Sequence, residues 1–180
     1  MAKYVMLIDA ERCTGCAACG IACQMQWQLT PDMNYNFLEF KETGSYPHAR
    51  QKVLPVQCQH CDDPPCKTVC PTNATYQRDD GIVSIDFDKC IGCKYCMVAC
   101  PYRVRKLNHD TGLPEKCKFC AEFVEEGEIP ACVTTCMNGV RVFGDLEDPE
   151  SEIARLIGRK RTHRLLERFG TEPSIYYVSS

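Results

Sequence analysis

Cysteine dominates the chemistry that this sequence can perform. Sixteen of the 180 residues are cysteines, and all sixteen fall into four groups of four. In chain order, motif one is Cys13, Cys16, Cys19 and Cys23; motif two is Cys58, Cys61, Cys66 and Cys70; motif three is Cys90, Cys93, Cys96 and Cys100; motif four is Cys117, Cys120, Cys132 and Cys136. Motifs one and three share the spacing C-x2-C-x2-C-x3-C, motif two has C-x2-C-x4-C-x3-C, and motif four has C-x2-C-x11-C-x3-C. This repeat predicts four metal sites built from thiolates.

The spacing within each motif favours iron–sulfur clusters. Three cysteines at intervals of three residues, in a loop whose backbone N–H groups turn inward, can hold one [4Fe–4S] cubane. The fourth cysteine lies beyond the loop, at a position predicted to be near the start of a short helix, and in two-cluster ferredoxins it binds the other cluster. Because every motif supplies four thiolates, the sequence predicts four [4Fe–4S] clusters and no [3Fe–4S] cluster.

The order of the motifs predicts how they pair. Motifs two and three are close in sequence, with a strand-like stretch at residues 82–86 between them, so we expect them to form one ferredoxin-like unit. Motifs one and four then form a second unit around the first. With crossed fourth cysteines, cluster 1 is held by Cys13, Cys16, Cys19 and Cys136; cluster 2 by Cys58, Cys61, Cys66 and Cys100; cluster 3 by Cys90, Cys93, Cys96 and Cys70; and cluster 4 by Cys117, Cys120, Cys132 and Cys23.

Two other uses of paired cysteines are weaker interpretations. Structural zinc also uses CxxC pairs, but a tetrahedral zinc site has no role for a third cysteine three residues further on, nor for the proline that follows Cys70 and Cys100. A disulfide framework is disfavoured because residues 1–10 are expected to carry no export signal, and thiols stay reduced in the cytosol.

Composition and charge exclude several other classes of protein. The apolar share of 44% includes the cysteines, so the remaining apolar side chains are few for a conventional core and something else must help to fill it. No stretch approaches the roughly 20 apolar residues of a membrane span. The net charge of −3 gives no basic footprint for nucleic-acid binding. No Ser/His/Asp order, phosphate loop or carboxylate pair stands out, so catalysis by this chain alone is not expected.

Four clusters in a chain of this size predict electron transfer. A folded chain of 180 residues has a radius of gyration of roughly 16 Å, which keeps neighbouring clusters on the order of 10 Å apart. A cluster with four thiolate ligands has no open position for a substrate. Each site carries about two negative charges, which backbone N–H groups and nearby cations must offset. Two basic runs are candidates for this role: Arg103, Arg105 and Lys106, and Arg159, Lys160, Arg161 and Arg164.

The segments between the motifs predict short strands and helices. Strands are expected at residues 4–9, 37–41, 52–56, 82–86, 141–143 and 175–178, and a helix at residues 19–29. Asp148 as N-cap and Pro149 in the first turn predict the start of a C-terminal helix. Its predicted apolar face consists of Ile153, Leu156, Ile157, Leu165, Leu166 and Phe169.

Together these expectations give an α+β fold of two interleaved, bacterial-type 2[4Fe–4S] ferredoxin-like units with short strands and helices, plus a C-terminal helix. The inner unit, residues 58–101, contains motifs two and three. The outer unit, residues 1–57 and 102–148, contains motifs one and four, with an insertion at residues 30–55 that is either a docking surface or a plain loop. Residues 149–180 form the C-terminal helix and tail.

Two side chains near the motifs have both a structural and a cluster-related interpretation. Trp27 either packs in the core or modulates a cluster, and core packing is favoured. His60 lies inside motif two, where it either tunes a cluster or forms ordinary hydrogen bonds in its loop, and the hydrogen-bonded role is favoured.

Beyond the cysteines themselves, short stretches around the motifs form a recognisable pattern. They are Val56-Gln57-Cys58-Gln59-His60-Cys61, Pro64-Pro65-Cys66, Val69-Cys70-Pro71-Thr72, Asp80-Gly81-Ile82-Val83, Cys90-Ile91-Gly92-Cys93, Ala99-Cys100-Pro101-Tyr102, Lys116-Cys117-Lys118-Phe119-Cys120, Pro130-Ala131-Cys132-Val133 and Phe143-Gly144-Asp145-Leu146. Over nearly its whole length the chain resembles the four-cluster iron–sulfur subunits of the dimethyl sulfoxide reductase superfamily, above all the B chains of polysulfide and thiosulfate reductases. Met137 departs from the pattern, because a proline often follows the last cysteine in that family.

The resemblance implies partners and a location. It implies a molybdopterin catalytic subunit, with a molybdenum or tungsten bis-pterin site, and a quinone-interacting membrane anchor subunit, with this chain relaying electrons between them in a respiratory oxidoreductase. Without the anchor of formate dehydrogenase beta chains, membrane contact is expected to lie in the other subunit. The implied location is extracytoplasmic, after co-export with the catalytic subunit, and a cytoplasmic complex stays open. The alternative function is a ferredoxin-like carrier, or a relay subunit for a cytoplasmic hydrogenase or formate dehydrogenase.

Overall fold

The computed structural model describes residues 2–179, and within them short helices and strands alternate. The helices α1 to α6 are Ala18–Trp27, Pro65–Thr68, Tyr95–Val98, Ala121–Glu125, Ala131–Thr134 and Glu152–Arg159. The strands β1 to β10 are Tyr4–Ile8, Asn36–Thr43, Arg50–Gln57, Thr75–Gln77, Val83–Ile85, Lys106–Leu107, Pro114–Glu115, Arg141–Asp145, Thr162–His163 and Ile175–Val178. The predicted mixture of short helices and strands is confirmed.

The largest sheet is built around β1. Its strand order is β8-β1-β10-β9, and β1 runs antiparallel to β8 and parallel to β10. Both faces of β1 are covered, because Met6 and Ile8 belong to the main core while Val5 and Leu7 pack in a second core with Ile153 of α6. The first strand thus joins two layers of the molecule.

The C-terminal helix differs from its prediction in both its start and its length. Helix α6 begins after Ser151, whose side chain accepts a hydrogen bond from the Ala154 N–H, so Ser151 rather than Asp148 is the N-cap. The helix ends at Arg159. Leu165 and Leu166 follow strand β9 and pack against the main core instead of extending the helical face. The helical spacing of the apolar residues wrongly predicted a longer helix, because the chain leaves the helix after Arg159 and forms strand β9 and then a turn.

Replacing Ile153 with Ala should destabilise this second core. Ile153 is fully buried, and its Cγ2 atom approaches Gly144 so closely that an added Cβ there would lie 3.1 Å away. Truncating a buried isoleucine costs about 2–5 kcal/mol. Anaerobic urea unfolding followed by circular dichroism should detect this loss. Arg155→Ala, at an exposed position on the same helix, should change the free energy of unfolding by less than about 0.5 kcal/mol, and an equal effect of the two changes would contradict the packing.

The insertion predicted at residues 30–55 is largely a hairpin. Strands β2 and β3 pair antiparallel from Asn36–Gln57 at the base to Thr43–Arg50 at the tip. The tip is exposed, and Phe40 and Tyr46 remain accessible to solvent there. The base is buried against the rest of the chain, so this segment is neither a plain loop nor wholly peripheral.

Cysteines make up a substantial part of the main core. Cys23, Cys58, Cys61, Cys117 and Cys132 are buried in it, together with apolar side chains from β1, β3 and β10. No helix among residues 2–179 combines the length and apolar character needed to cross a membrane.

Candidate iron–sulfur sites

The loops of motifs one and three share an unusual backbone shape. The residues on either side of the second cysteine have positive φ, namely Gly15 and Ala17 around Cys16, and Gly92 and Lys94 around Cys93. Glycine adopts this conformation at no steric cost. At Gly15 a side chain would also meet the Phe40 ring, since an added Cβ would lie 3.2 Å from it. These paired left-handed residues bend each loop on both sides of its second cysteine.

The short helices carry the third cysteine of three motifs, which corrects the sequence prediction. Cys66, Cys96 and Cys132 lie within α2, α3 and α5. The fourth cysteines Cys70, Cys100 and Cys136 follow the ends of those helices rather than lying near the start of one, and Cys23 lies inside the longer helix α1.

The thiols assigned to cluster 2 lie together. Burial and the nearby Cys58 thiol raise the pKa of Cys61 to about 12, with smaller contributions from the thiols of Cys66 and Cys100. Burial likewise raises the pKa of Cys100, and Cys58 and Cys66 add to that shift. Cys100 of motif three therefore neighbours the first three cysteines of motif two.

The thiols assigned to cluster 4 also lie together. Burial, then the thiols of Cys132 and Cys120, raise the pKa of Cys23 to about 12. Burial, then Cys23 and Cys132, raise the pKa of Cys117 well above its ordinary value. Helix α1 packs against α5, and this packing brings Cys23 of motif one to motif four.

Clusters 1 and 3 have different surroundings. All four thiols assigned to cluster 1, those of Cys13, Cys16, Cys19 and Cys136, line a single cavity. At cluster 3, burial raises the pKa of Cys96, and the thiols of Cys90 and Cys93 contribute. The hydrogen-bond partners of Cys70 are Thr72 and Thr75 of its own loop rather than another thiol, although α2 packs against α3.

Thiols of different groups also influence one another's pKa. The Cys19 thiol of cluster 1 acts on Cys132 and Cys23 of cluster 4. Cys58 of cluster 2 acts on Cys117 of cluster 4. Cys66 of cluster 2 acts on Cys96 of cluster 3. These electrostatic contacts link thiols assigned to clusters 1 and 4, to clusters 4 and 2, and to clusters 2 and 3.

Backbone N–H groups point at several sulfur atoms. The N–H of Val140 lies 3.3 Å from the Cys136 Sγ, that of Phe119 lies 3.4 Å from the Cys117 Sγ, and that of Thr75 lies 3.5 Å from the Cys70 Sγ. At Cys70 such hydrogen bonds outweigh burial and lower the pKa of the thiol. Hydrogen bonds to sulfur stabilise the thiolate form, which is the form that binds iron.

Three buried cations accompany the thiols. Arg105, Lys116 and Arg141 are each less than 5% exposed. Arg105 comes from a basic run that the sequence suggested for charge balance, whereas Arg103 of that run is exposed and Arg164 pairs with Glu172. Sequence reasoning missed Arg141 altogether. A signal was present, because Arg105 and Arg141 each follow the fourth cysteine of their motif by five residues.

His60 and Trp27 both lie close to the candidate sites. His60 is fully buried and stacks on Phe119 with ring centroids 3.9 Å apart, and its Nδ1 accepts the Val83 N–H. The hydrogen-bonded role expected for His60 is thus present. Trp27 packs edge-on against Phe123, and its side chain counters the effect of burial on the pKa of the Cys120 thiol. The packing role favoured for Trp27 is thus present, and its role in modulating a cluster stays a prediction.

The donor set fits iron–sulfur clusters. Thiols in groups, N–H donors aimed at sulfur and buried cations without carboxylate partners all suit a resident group of net negative charge. Among residues 2–179, no three His, Cys, Asp or Glu side chains are placed to hold a single metal ion.

Comparisons with known proteins agree with this chemistry. Residues 49–146 match the 4Fe-4S dicluster domain family. The chain is 42% identical to the B subunit of tetrathionate reductase from Salmonella typhimurium, with 98% of this chain and 72% of that protein covered. It is 40% identical to the B component of polysulfide reductase from Wolinella succinogenes, covering 98% and 94%, and 41% identical to a thiosulfate reductase electron transfer subunit of Salmonella typhi, covering 97% and 91%. The chain therefore belongs to the family of iron–sulfur subunits of dimethyl sulfoxide, polysulfide, thiosulfate and tetrathionate reductases, and it is an electron-transfer subunit that carries four [4Fe–4S] clusters.

Proposed function

We propose that this chain relays electrons along a single row of clusters between a molybdopterin catalytic subunit and a quinone-interacting membrane subunit. When bound, the clusters accept and pass on single electrons. The observation that carries the proposal is that thiols of successive groups influence one another's pKa, Cys19 with Cys132, Cys58 with Cys117, and Cys66 with Cys96. Cys66 and Cys96 also pack together in one buried cluster. A row of this kind transmits electrons from one end of the chain to the other.

The crossed ligand sets are part of the proposal. Those of clusters 2 and 4 are supported by the mutual effects of their thiols on pKa, and that of cluster 1 by the shared cavity. Cys70 is assigned to cluster 3 by analogy with the crossed ligands of the other three clusters, and the packing of α2 on α3 supports this assignment. Two interleaved ferredoxin-like units, residues 58–101 and residues 1–57 with 102–148, follow from these sets.

The two ends of the row are the proposed contact points for partners. Cys16 of cluster 1 and Cys93 of cluster 3 are exposed, whereas the thiols of cluster 4 are buried. Exposed apolar side chains accompany both ends: Ile91, Tyr95 and Val98 lie within five residues of Cys93 in the sequence, and Met137 lines the same cavity as Cys16. Apolar surface of this kind is typical of protein interfaces. It favours a subunit of a complex over a free ferredoxin-like carrier.

The location is proposed from the family resemblance. The relatives from polysulfide and thiosulfate reductases are, by their names, single components of larger enzymes. We place this chain at the membrane through its partners, on the extracytoplasmic side after co-export with the catalytic subunit.

Metal analysis of anaerobically purified protein tests the proposal. Sixteen iron atoms and sixteen acid-labile sulfides per chain are expected from four cubanes with sixteen cysteine ligands. Samples rebuilt from apoprotein in zinc without sulfide serve as the control, because they give the spectrum of metal-bound thiolates alone. Four zinc ions and no sulfide in the native protein would overturn the proposal.

A further inference from the structure

Arg141 lies between two of the thiol groups. Its Nη2 is 3.9 Å from the Cys19 Sγ of cluster 1, and its charge opposes the effect of burial on the pKa of Cys132 of cluster 4. The other contacts of the guanidinium are neutral: Nη2 donates to Asn36 Oδ1 over 2.7 Å, and Nη1 donates to Gln57 and faces the Met6 sulfur. Two residues at the base of the β2–β3 hairpin thus hold the Arg141 guanidinium by hydrogen bonds.

Arg105 has a comparable electrostatic setting in the other pair of groups, where Cys66 and Cys96 pack together in one buried cluster. It is 4% exposed, and its two terminal nitrogens have no hydrogen-bond partner among residues 2–179. Although burial lowers the pKa of the guanidinium, the thiols of Cys66, Cys96 and Cys58 raise it above its ordinary value. Cys66 and Cys58 belong to cluster 2, and Cys96 belongs to cluster 3.

Neither arginine joins an ion pair within residues 2–179, where the ion pairs found involve other side chains. A buried cation without a counterion is strongly destabilising. Each cluster with its four thiolate ligands carries a net negative charge. The thiols of the proposed ligand sets, together with the clusters that they would hold, would therefore supply the negative charge that offsets these guanidinium groups.

We propose that Arg141 sets the reduction potentials of clusters 1 and 4 together, and that Arg105 does the same for clusters 2 and 3. The inference rests on the proposed ligand sets. Reduction adds one negative charge to a cluster, and a fixed positive charge in a medium of low dielectric constant stabilises the reduced form. Because each guanidinium faces two groups, it raises both potentials in its pair. The row then consists of two matched halves, each tuned by one residue.

The test is anaerobic potentiometric titration followed by EPR, on the purified chain with all clusters in place. Arg141→Gln should lower two of the four midpoint potentials, and Arg105→Gln should lower the other two. We expect at least a tenfold fall in the ratio of reduced to oxidised cluster at a fixed potential, which is about 59 mV for a one-electron couple. Signals are assigned to clusters through single Cys→Ser variants of each ligand set.

Charge is separated from shape by lysine variants. Arg141→Lys and Arg105→Lys should keep all four potentials near their parental values. Arg78→Gln is the matched control, because the ion-pair partners of Arg78 within residues 2–179 are Asp80 and Glu125, and it should move no potential. If a glutamine variant loses clusters, retention of four clusters at parental potentials in the lysine variant still supports the role of charge.

Several results would overturn the inference. One is that the glutamine variants leave all four midpoint potentials unchanged, and another is that both glutamine variants shift the potentials of the same two clusters. A third is that the lysine variants shift the potentials as far as the glutamine variants do, or lose their clusters. The proposed function fails on a different observation, which is an iron content inconsistent with four clusters in the parent protein. A parent with four clusters and indifferent arginine variants would therefore contradict only the inference.

Discussion

Removal of iron from the anaerobically purified chain is expected to unfold most of it. Buried cysteines line the main core, and the helices that carry the third cysteine of motifs two, three and four have only four residues each. Isolated helices shorter than about 12 residues are marginal in water. Structural zinc sites in small domains contribute about 10–16 kcal/mol, whereas whole domains are stable by about 5–15 kcal/mol. Loss of four sites should therefore exceed the stability that the apolar contacts supply.

Far-UV circular dichroism before and after chelation measures this loss. A sample carried through the same anaerobic steps without the chelator is the control for handling. We expect the ellipticity of the treated chain to approach that of an unfolded protein, and iron with sulfide to restore it. A treated chain with native ellipticity would show that the apolar contacts hold the fold alone.

Cys100→Ser is expected to remove or alter cluster 2 and to leave cluster 3 intact. Cys100 belongs to motif three in sequence, but its thiol is influenced by Cys58 and Cys66 of motif two. A serine oxygen is a poorer ligand than a thiolate for an iron–sulfur cluster. The EPR spectrum of the reduced protein should lose the cluster 2 signal or convert it to that of a three-iron cluster, with a loss of about a quarter of the iron at most.

Cys96→Ser is the matched control, since it changes the third cysteine of the same motif. That variant should affect cluster 3 instead, because Cys96 is the third cysteine of the loop that contains Cys90 and Cys93. If both serine variants affected the same cluster, crossed ligation in this pair would be wrong.

The sequence predicted the chemistry of the sites well because cysteine spacing is a local property. Three thiols of one loop must lie close together whatever the rest of the fold does, so the four motifs were recognisable without a structure. The strands at residues 175–178 and 141–143 were also found, since each is a short run of β-branched or aromatic residues.

What the sequence did not reveal depends on distant contacts. The apolar positions of residues 153–169 continued a helical pattern, yet the packing of Leu165 and Leu166 on the main core ends the helix at Arg159. Arg141 looked like an ordinary strand residue, because the partners that bury it, Asn36 and Gln57, lie more than 80 residues away. The local sequence signal for Arg141 is its position, since it follows the fourth cysteine of its motif by five residues, as Arg105 does.

The position of β1 has a consequence for how the protein is made. This strand leaves the ribosome well before its two sheet neighbours, residues 141–145 and 175–178. Until both have been synthesised, the hydrophobic strand β1 lacks its hydrogen-bonding partners. Exposed segments of this kind make nascent chains prone to aggregation. Motifs two and three, by contrast, are complete at Cys100. All the proposed ligands of clusters 2 and 3 are therefore available before β1 can pair with either neighbour.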